Sequence, residues 1–144
     1  MNRRSKWLIA IVIIGVLITG GIVAVMSVKP AYADETDEYN LAHLICGEAE
    51  GCGRDMMLSV GSVVLNRVSD SRFPNSIAEV IFQPGQYSCT WDGNFYREPS
   101  EECWEVAREL LKDGTAIDES VVWQAEFPQG VGVYDIIGNM YFCY

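Results

Sequence analysis

The sequence has few of the residues that most often bind metals and nucleic acids. It contains one histidine, His43, and its five cysteines include no C-x-x-C pair, so it offers no conventional set of zinc ligands. Lysine and arginine together number 10, against 20 aspartates and glutamates. An acidic chain of this kind is not expected to bind nucleic acid or an anionic membrane surface through charge. We therefore expect no metal, no other cofactor and no nucleic-acid partner.

The first third of the chain is chemically unlike the rest. Three basic residues precede the segment 7–26, in which twenty residues pass without a charge, and about twenty apolar residues can span a bilayer as a helix. Positive charge before this segment and acidic residues after it predict that the following part is exported. A small-x-small pattern at 31–33 is typical of signal peptidase sites. Residues 1–33 are therefore predicted to be a signal peptide cleaved after Ala33 or, alternatively, a retained membrane anchor.

The remainder is predicted to be one acidic linker and one domain. All 20 acidic residues but only six of the ten basic ones lie after residue 33, so residues 34–144 carry a net charge of −14. Residues 34–38 are mostly charged and predict a solvated linker. Residues 39–144 suffice for one compact domain, which we expect to be monomeric.

Helical patterns dominate the first part of this domain. Apolar residues at i, i+3 and i+4 predict a helix from Asp37 or Glu38 to about Gly51. Residues 54–68 are apolar nearly all round and predict a buried central helix, in which Gly61 and Ser62 would let a neighbouring element approach closely.

Two more helices and a sheet are expected further along the chain. Ser76 and Ser100 are candidate N-caps, for a short helix through Ile81 and a longer one that stops at Gly114. The stretch between these two helices is predicted to be irregular and rich in turns. Residues 121–123 and 134–144 are β-branched and aromatic and predict a small antiparallel sheet. Helices followed by strands indicate an α+β domain.

Glu48 falls on the same helical stripe as Leu41, Leu44 and Ile45. On that stripe its carboxyl would point toward the apolar interior, where desolvation favours the protonated form that a general acid needs. The alternative is that the helix ends before Glu48 or that its side chain bends to solvent. Periodicity alone favours this alternative.

The stretch 83–93 brings together amides, a phenol, an indole and a carboxylate. Such a mixture is typical of sugar-binding sites, because aromatic faces cover C–H surfaces while polar groups bond hydroxyls. The alternative is that Tyr87 and Trp91 are core residues and that Asp92-Gly93 is an ordinary turn. A different chemistry, a cysteine nucleophile formed by His43 and Cys46 at i, i+3, is disfavoured because no nucleophile signature surrounds Cys46.

Several ordered blocks of residues 39–144 resemble the SleB-like cell wall hydrolases, the group of spore-cortex-lytic enzymes. The blocks begin with Glu48-Ala49-Glu50-Gly51 and its apolar lead-in and close with Ile137-Gly138-Asn139 and Phe142. Between them lie Val63 to Val68, Arg72 to Ile77, Phe82 to Ser88 and Trp91-Asp92-Gly93.

The resemblance implies a lysozyme-like α+β fold and action on the bond between N-acetylmuramic acid and N-acetylglucosamine of peptidoglycan, commonly as a lytic transglycosylase. It implies that Glu48 is the catalytic acid and base, which outweighs the local alternative. The chain departs from the family pattern where Glu50 and Cys52 replace an arginine and a glutamate, and where Met140 replaces a histidine. The first departure changes the charge beside Glu48.

These expectations combine into one predicted function with two rivals. We expect Glu48 to act on peptidoglycan in a cleft of an exported domain, with Ser69 hydrogen-bonding near the reaction centre. One rival is a muramidase that uses water and a second carboxylate, Asp92 or Glu126. The other is a catalytically silent envelope protein with the same fold. The residues expected to line the cleft are Tyr87, Trp91, Asp92 and Gln124.

Overall fold

The computed structural model describes residues 35–144, so the predicted signal peptide or anchor lies outside the described residues. No helix within this part is both long and apolar enough to cross a membrane. The elements in chain order are α1 (Glu35–Ala49), α2 (Arg54–Ser69), α3 (Ile77–Ile81), α4 (Cys89–Asp92), a 3-10 turn (Asn94–Tyr96), α5 (Glu101–Asp113), β1 (Trp123–Ala125), β2 (Val133–Ile137) and β3 (Met140–Cys143).

The core lies where α1, α2 and α5 pack on one another. The α1 stripe of Leu41, Leu44 and Ile45 is completely buried, which confirms the helical periodicity of this segment. The predicted central helix is α2, most of whose residues are buried. A Cβ on Gly61 would overlap Leu110 of α5 and lie 3.0 Å from the Cδ1 of Ile45. Glycine at this position therefore permits the close approach that the sequence predicts.

The predicted N-caps and helix ends are confirmed. The Ser76 hydroxyl accepts a hydrogen bond from the Glu79 N–H at 3.3 Å and donates one to the Glu79 carboxylate at 2.7 Å. The Ser100 hydroxyl accepts one from the Cys103 N–H at 3.4 Å, and α5 ends at Asp113, followed by the C-cap Gly114 with a φ of 91°. These bonds satisfy backbone groups that a helix terminus otherwise leaves unpaired.

The first helix begins earlier than the apolar pattern indicates. It starts at Glu35, so residues 35–38 of the predicted linker continue α1. Acidic residues are favourable in a first helical turn because of the helix dipole. In addition, Glu38 forms an ion pair with Arg108 of α5 at 2.8 Å. Apolar periodicity detects neither effect.

The segment predicted to be irregular contains two short helices. One is α4 and the other is the 3-10 turn, and they are separated by Gly93, which has a φ of 93°. Each is about one turn long, which is too short for apolar periodicity to reveal. The sequence-based prediction was therefore incomplete here, although Gly93 is a turn residue as expected.

A three-stranded antiparallel sheet completes the domain, which confirms the predicted α+β class. The strand order is β1-β3-β2. A two-residue turn, Gly138-Asn139, joins β2 to β3, and Gly138 takes the positive φ of 62° that such turns need. Regular pairing begins at Trp123, two residues later than predicted, although the Val122 N–H still bonds the Cys143 carbonyl at 3.1 Å.

Candidate functional site

Glu48 lies in the last turn of α1 and is half-buried. Its Oε1 accepts a hydrogen bond from the backbone N–H of Cys89, the first residue of α4, at 3.4 Å. No lysine or arginine among residues 35–144 lies within ion-pairing distance of this carboxylate. The helix does not end before Glu48, so this part of the local alternative is excluded. A half-buried carboxyl without a cation can both donate and accept a proton.

Arg67 of α2 is a buried cation behind this site, with an exposed fraction of 3%. Its Nε donates to the Val122 carbonyl at 2.7 Å, and its Nη1 donates to the Gln86 Oε1 at 3.1 Å and the Tyr87 hydroxyl at 3.3 Å. Within residues 35–144 no carboxylate forms an ion pair with it. Three aromatic rings stabilise the charge instead, with centroids 5.2 to 5.8 Å from the guanidinium, those of Phe73, Tyr87 and Trp123.

Tyr87 is close enough to both Arg67 and Glu48 to be influenced by their charges. Burial raises the pKa of the Tyr87 phenol to about 12, an effect that the positive charge of Arg67 opposes and the negative charge of Glu48 reinforces. The Tyr87 side chain has an exposed fraction of only 1%. Of the two interpretations of the 83–93 stretch, the core position therefore applies to Tyr87. Its contact with substrate stays a prediction, and its observed partner is Arg67.

Trp91 and Asp92 of α4 occupy a different environment from Tyr87. Trp91 has an exposed fraction of 62%, so its indole face is open to a ligand. Asp92 is exposed, and its Oδ1 accepts the N–H of Asn94 at 2.8 Å, which makes it part of the turn at Gly93. Because α4 begins at Cys89, both residues belong to the helix whose first N–H bonds Glu48.

The remaining predicted residues lie on other elements. Gln124 of β1 is half-buried, and its Oε1 has no hydrogen-bond donor among the described residues. Ser69 ends α2, where its hydroxyl donates to the Leu65 carbonyl at 3.1 Å and lines an open depression of about 550 Å³ beside Asp70 and Phe73. Glu126 is exposed and accepts a hydrogen bond from the Asn139 amide at 2.9 Å. The roles of all three stay predictions.

One cluster of possible metal ligands occurs in the described part of the chain. The thiols of Cys46 and Cys103 and the carboxylate of Glu50 lie within 4.8 Å of one another. The sequence gives no sign of this proximity, since Cys103 belongs to a different helix from Cys46. However, Glu50 forms an ion pair with Arg97 at 2.8 Å, and burial raises the pKa of the Cys46 thiol to about 11. The Glu50 carboxylate is therefore already paired with a cation, and the Cys46 thiol is protonated near neutral pH.

His43 packs in the core rather than activating Cys46. Its Nδ1 is hydrogen-bonded to the Phe95 carbonyl, and its ring stacks on Tyr39 with centroids 3.9 Å apart. All five cysteines are free thiols. These contacts agree with the expectation that His43 and Cys46 do not form a cysteine nucleophile.

Sequence reasoning gave no role to Arg67, Cys89 or Gly47. The sequence did contain a signal for Arg67, since it is a cation inside the apolar run 54–68. A buried charge must be hydrogen-bonded or paired, so such a cation indicates a polar network. Cys89 had no such signal. Gly47, adjacent to Glu48, is in contact with Cys89: a Cβ there would lie 2.7 Å from the Cys89 Cβ. A small residue beside the candidate acid was a signal for close packing.

The fold is shared with known catalytic domains. The chain superposes on the crystal structure of the catalytic domain of the Bacillus cereus SleB protein with a TM-score of 0.70 and 23% identity, over 80% of this chain and 94% of that one. The catalytic domain of a germination-specific lytic transglycosylase, SleB from Bacillus anthracis, gives 0.68, with 23% identity and coverage of 80% and 99%. The expected lysozyme-like α+β fold is confirmed.

The family is shown by the sequence itself. Residues 51–143 match the family described as Cell Wall Hydrolase, and the chain belongs to that family. The spore cortex-lytic enzyme of Bacillus subtilis is 30% identical over 100 residues, 69% of this chain and 33% of that protein. The cell wall hydrolase CwlJ of the same organism is 32% identical over 108 residues, 68% of this chain and 72% of that protein.

The extent of these matches matters for function. The chain spans about a third of the length of the spore cortex-lytic enzyme of Bacillus subtilis. The spore cortex-lytic enzyme of Oceanobacillus iheyensis is 33% identical over 93 residues, and the chain again spans 33% of its length. The matched family segment begins at Gly51, so Glu48 lies just before it.

Proposed function

We propose that this chain cleaves the glycan strands of peptidoglycan between N-acetylmuramic acid and N-acetylglucosamine, as a lytic transglycosylase with Glu48 as its catalytic acid and base. The observation that carries the proposal is the half-buried Glu48 carboxyl, which bonds the Cys89 N–H and forms no ion pair with residues 35–144. Membership of the cell wall hydrolase family supports the substrate class. The name of the Bacillus anthracis neighbour supports the reaction type.

One carboxyl suffices for this reaction. The protonated Glu48 gives its proton to the glycosidic oxygen as the bond to the muramic acid C1 breaks. The resulting carboxylate then takes the proton of the 6-hydroxyl of the same muramic acid, whose oxygen bonds to C1. The products are a free 4-hydroxyl on N-acetylglucosamine and a 1,6-anhydro-muramic acid end. Glu48 is regenerated in its acid form, and no water is consumed.

The groups predicted to line the cleft suit a glycan strand. The open indole of Trp91 can stack on the C–H face of a sugar, and Asp92 can accept a hydroxyl proton. Gln124 has an amide oxygen with no donor among the described residues, which a sugar hydroxyl or acetamide N–H can satisfy if the side chain turns outward.

A hydrolytic reaction would need a second carboxylate at the site. Asp92 and Glu126 are both exposed, and each already accepts a hydrogen bond from a nearby asparagine. Neither has a described contact with Glu48, so the reaction products decide between the two reactions.

The test is digestion of purified peptidoglycan by Glu48→Gln. This change keeps the side-chain volume but removes the proton, so the rate should fall by roughly 10² to 10⁴-fold or more, while the melting temperature stays close to that of the wild type. Glu105→Gln, which changes an exposed glutamate of α5, should digest at the wild-type rate. Digestion by Glu48→Gln at the wild-type rate would remove Glu48 from the chemistry.

Mass spectrometry of the products separates the two reactions. Transglycosylation predicts 1,6-anhydro ends, which are lighter by one water than the reducing ends left by hydrolysis. Reducing ends alone would assign the chain to the muramidases and would raise the importance of Asp92 and Glu126. Export of the domain is part of the same proposal, because the segment 1–33 that would direct it lies outside the described residues. The proposed substrate is peptidoglycan, of either the spore cortex or the vegetative wall.

A further inference from the structure

Cys89 lies directly against the carboxyl of Glu48. Its backbone N–H donates to the Glu48 Oε1 at 3.4 Å, and its thiol is close enough to the same carboxyl for Glu48 to raise the pKa of the thiol. The Cys89 side chain is buried, with an exposed fraction of 1%. Two groups of one residue therefore face the proposed catalytic acid.

The backbone of α1 is shaped to allow this contact. A Cβ on Gly47 would lie 2.7 Å from the Cys89 Cβ and 3.0 Å from its Sγ, and the first of these distances is closer than real Cβ atoms approach other atoms. Any larger residue at 47 would displace Cys89 from α1. The absence of a side chain immediately before Glu48 thus brings the thiol to the carboxyl.

The thiol can act here only as a donor. Burial raises the pKa of the Cys89 thiol far above its usual value, and the hydrogen bond and negative charge of Glu48 raise it further, as does the charge of Asp92. The thiol therefore stays protonated throughout the neutral range. The charges that act on the thiol are those of the Glu48 carboxylate on α1 and the Asp92 carboxylate on α4. The positive charge of Arg67 acts instead on the neighbouring Tyr87.

We propose that Cys89 is a positioning residue for Glu48, whose thiol and backbone N–H together hold the carboxylate in place between the two proton transfers. The proposal rests on the function proposed above for Glu48. A thiol is a weak donor, so it orients the carboxylate without opposing the return of the proton. A hydroxyl at the same place would bind the carboxylate more strongly, and a methyl group would not bind it at all.

The experiment compares Cys89→Ala, Cys89→Ser and Cys143→Ala in digestion of purified peptidoglycan across the pH range. The control removes the same sulfur atom from another buried cysteine, which lies on β3. Cys89→Ala should lower kcat on the order of 10-fold, the loss expected for one hydrogen bond to a charged group, with little change in KM. Cys89→Ser should recover most of this loss, and Cys143→Ala should keep the wild-type kcat.

The pH profile gives a readout that loss of packing alone does not move. Removing a donor to the carboxylate favours its protonated form, so the alkaline limb of the kcat profile should move to higher pH in Cys89→Ala. In Cys89→Ser it should stay in place or move to lower pH. Identical profiles for Cys89→Ala, Cys89→Ser and Cys143→Ala would overturn the proposal and leave Cys89 as a packing residue.

Failure of this proposal differs from failure of the function. If Glu48→Gln is inactive and the Cys89 variants match the control, only the positioning role is rejected. If Glu48→Gln keeps the wild-type rate, the proposed function itself is rejected. Should Cys89→Ala show no cooperative melting transition, Cys89→Ser carries the test, because an alkaline limb that moves to higher pH in this variant would then contradict a donor role.

Discussion

Replacement of Arg67 by methionine tests whether the buried cation stabilises the domain. Methionine keeps the apolar stem of the side chain but removes the donors that serve the Val122 carbonyl, Gln86 and Tyr87. A hydrogen bond from a charged donor is worth about 1.5–3 kcal/mol, and each buried acceptor left unpaired costs about 1–3 kcal/mol. Because the contacts are not additive, we expect Arg67→Met to lower the free energy of unfolding by about 3–5 kcal/mol.

The assay is urea unfolding followed by tryptophan fluorescence, with thermal melting as a second measurement. The melting temperature should fall on the order of 15 °C for a domain of this size. Arg72→Met is the matched control, since the side chain of Arg72 is 60% exposed and pairs only locally with Asp70. It should change stability by less than about 1 kcal/mol. A loss below about 1 kcal/mol for Arg67→Met would refute the reasoning.

Two further predictions concern alkaline pH and metals. The pKa of Tyr87 is about 12 in the folded domain against 10.0 for the free side chain. The stability that the neutral phenol contributes should therefore be complete below pH 10 and lost as pH rises through 12, by up to about 3 kcal/mol. Tyr87→Phe has no phenol to ionise, so its free energy of unfolding should not show this loss when it is measured across the same pH range. Dialysis against a chelator should leave peptidoglycan digestion unchanged, because Arg97 pairs with Glu50 and the Cys46 thiol is protonated near neutral pH. Loss of activity that zinc restores would contradict this.

Much of the fold follows from short-range patterns. Leu41, Leu44 and Ile45 predict the buried face of α1 because side chains three and four residues apart share one side of a helix. Ser76 and Ser100 predict helix starts because a hydroxyl reaches the free N–H three residues on. The same spacing places Glu48 at the edge of the core. The one-turn helix α4 escapes such analysis because its four residues are too few to show a repeating apolar pattern.

Sequence alone thus determined helices α1, α2, α3 and α5, the caps of the last two and the late sheet, since each depends on residues within a few positions of one another. The candidate acid followed from the resemblance carried by several blocks along the chain. Only the tertiary structure decided what surrounds that acid. The bond from Cys89 to Glu48 spans 41 residues, and that from Arg67 to Val122 spans 55. Partners at such separations are set by how α1, α2, α4 and the sheet pack together, and packing depends on the shapes of all the elements at once. No local periodicity encodes that information.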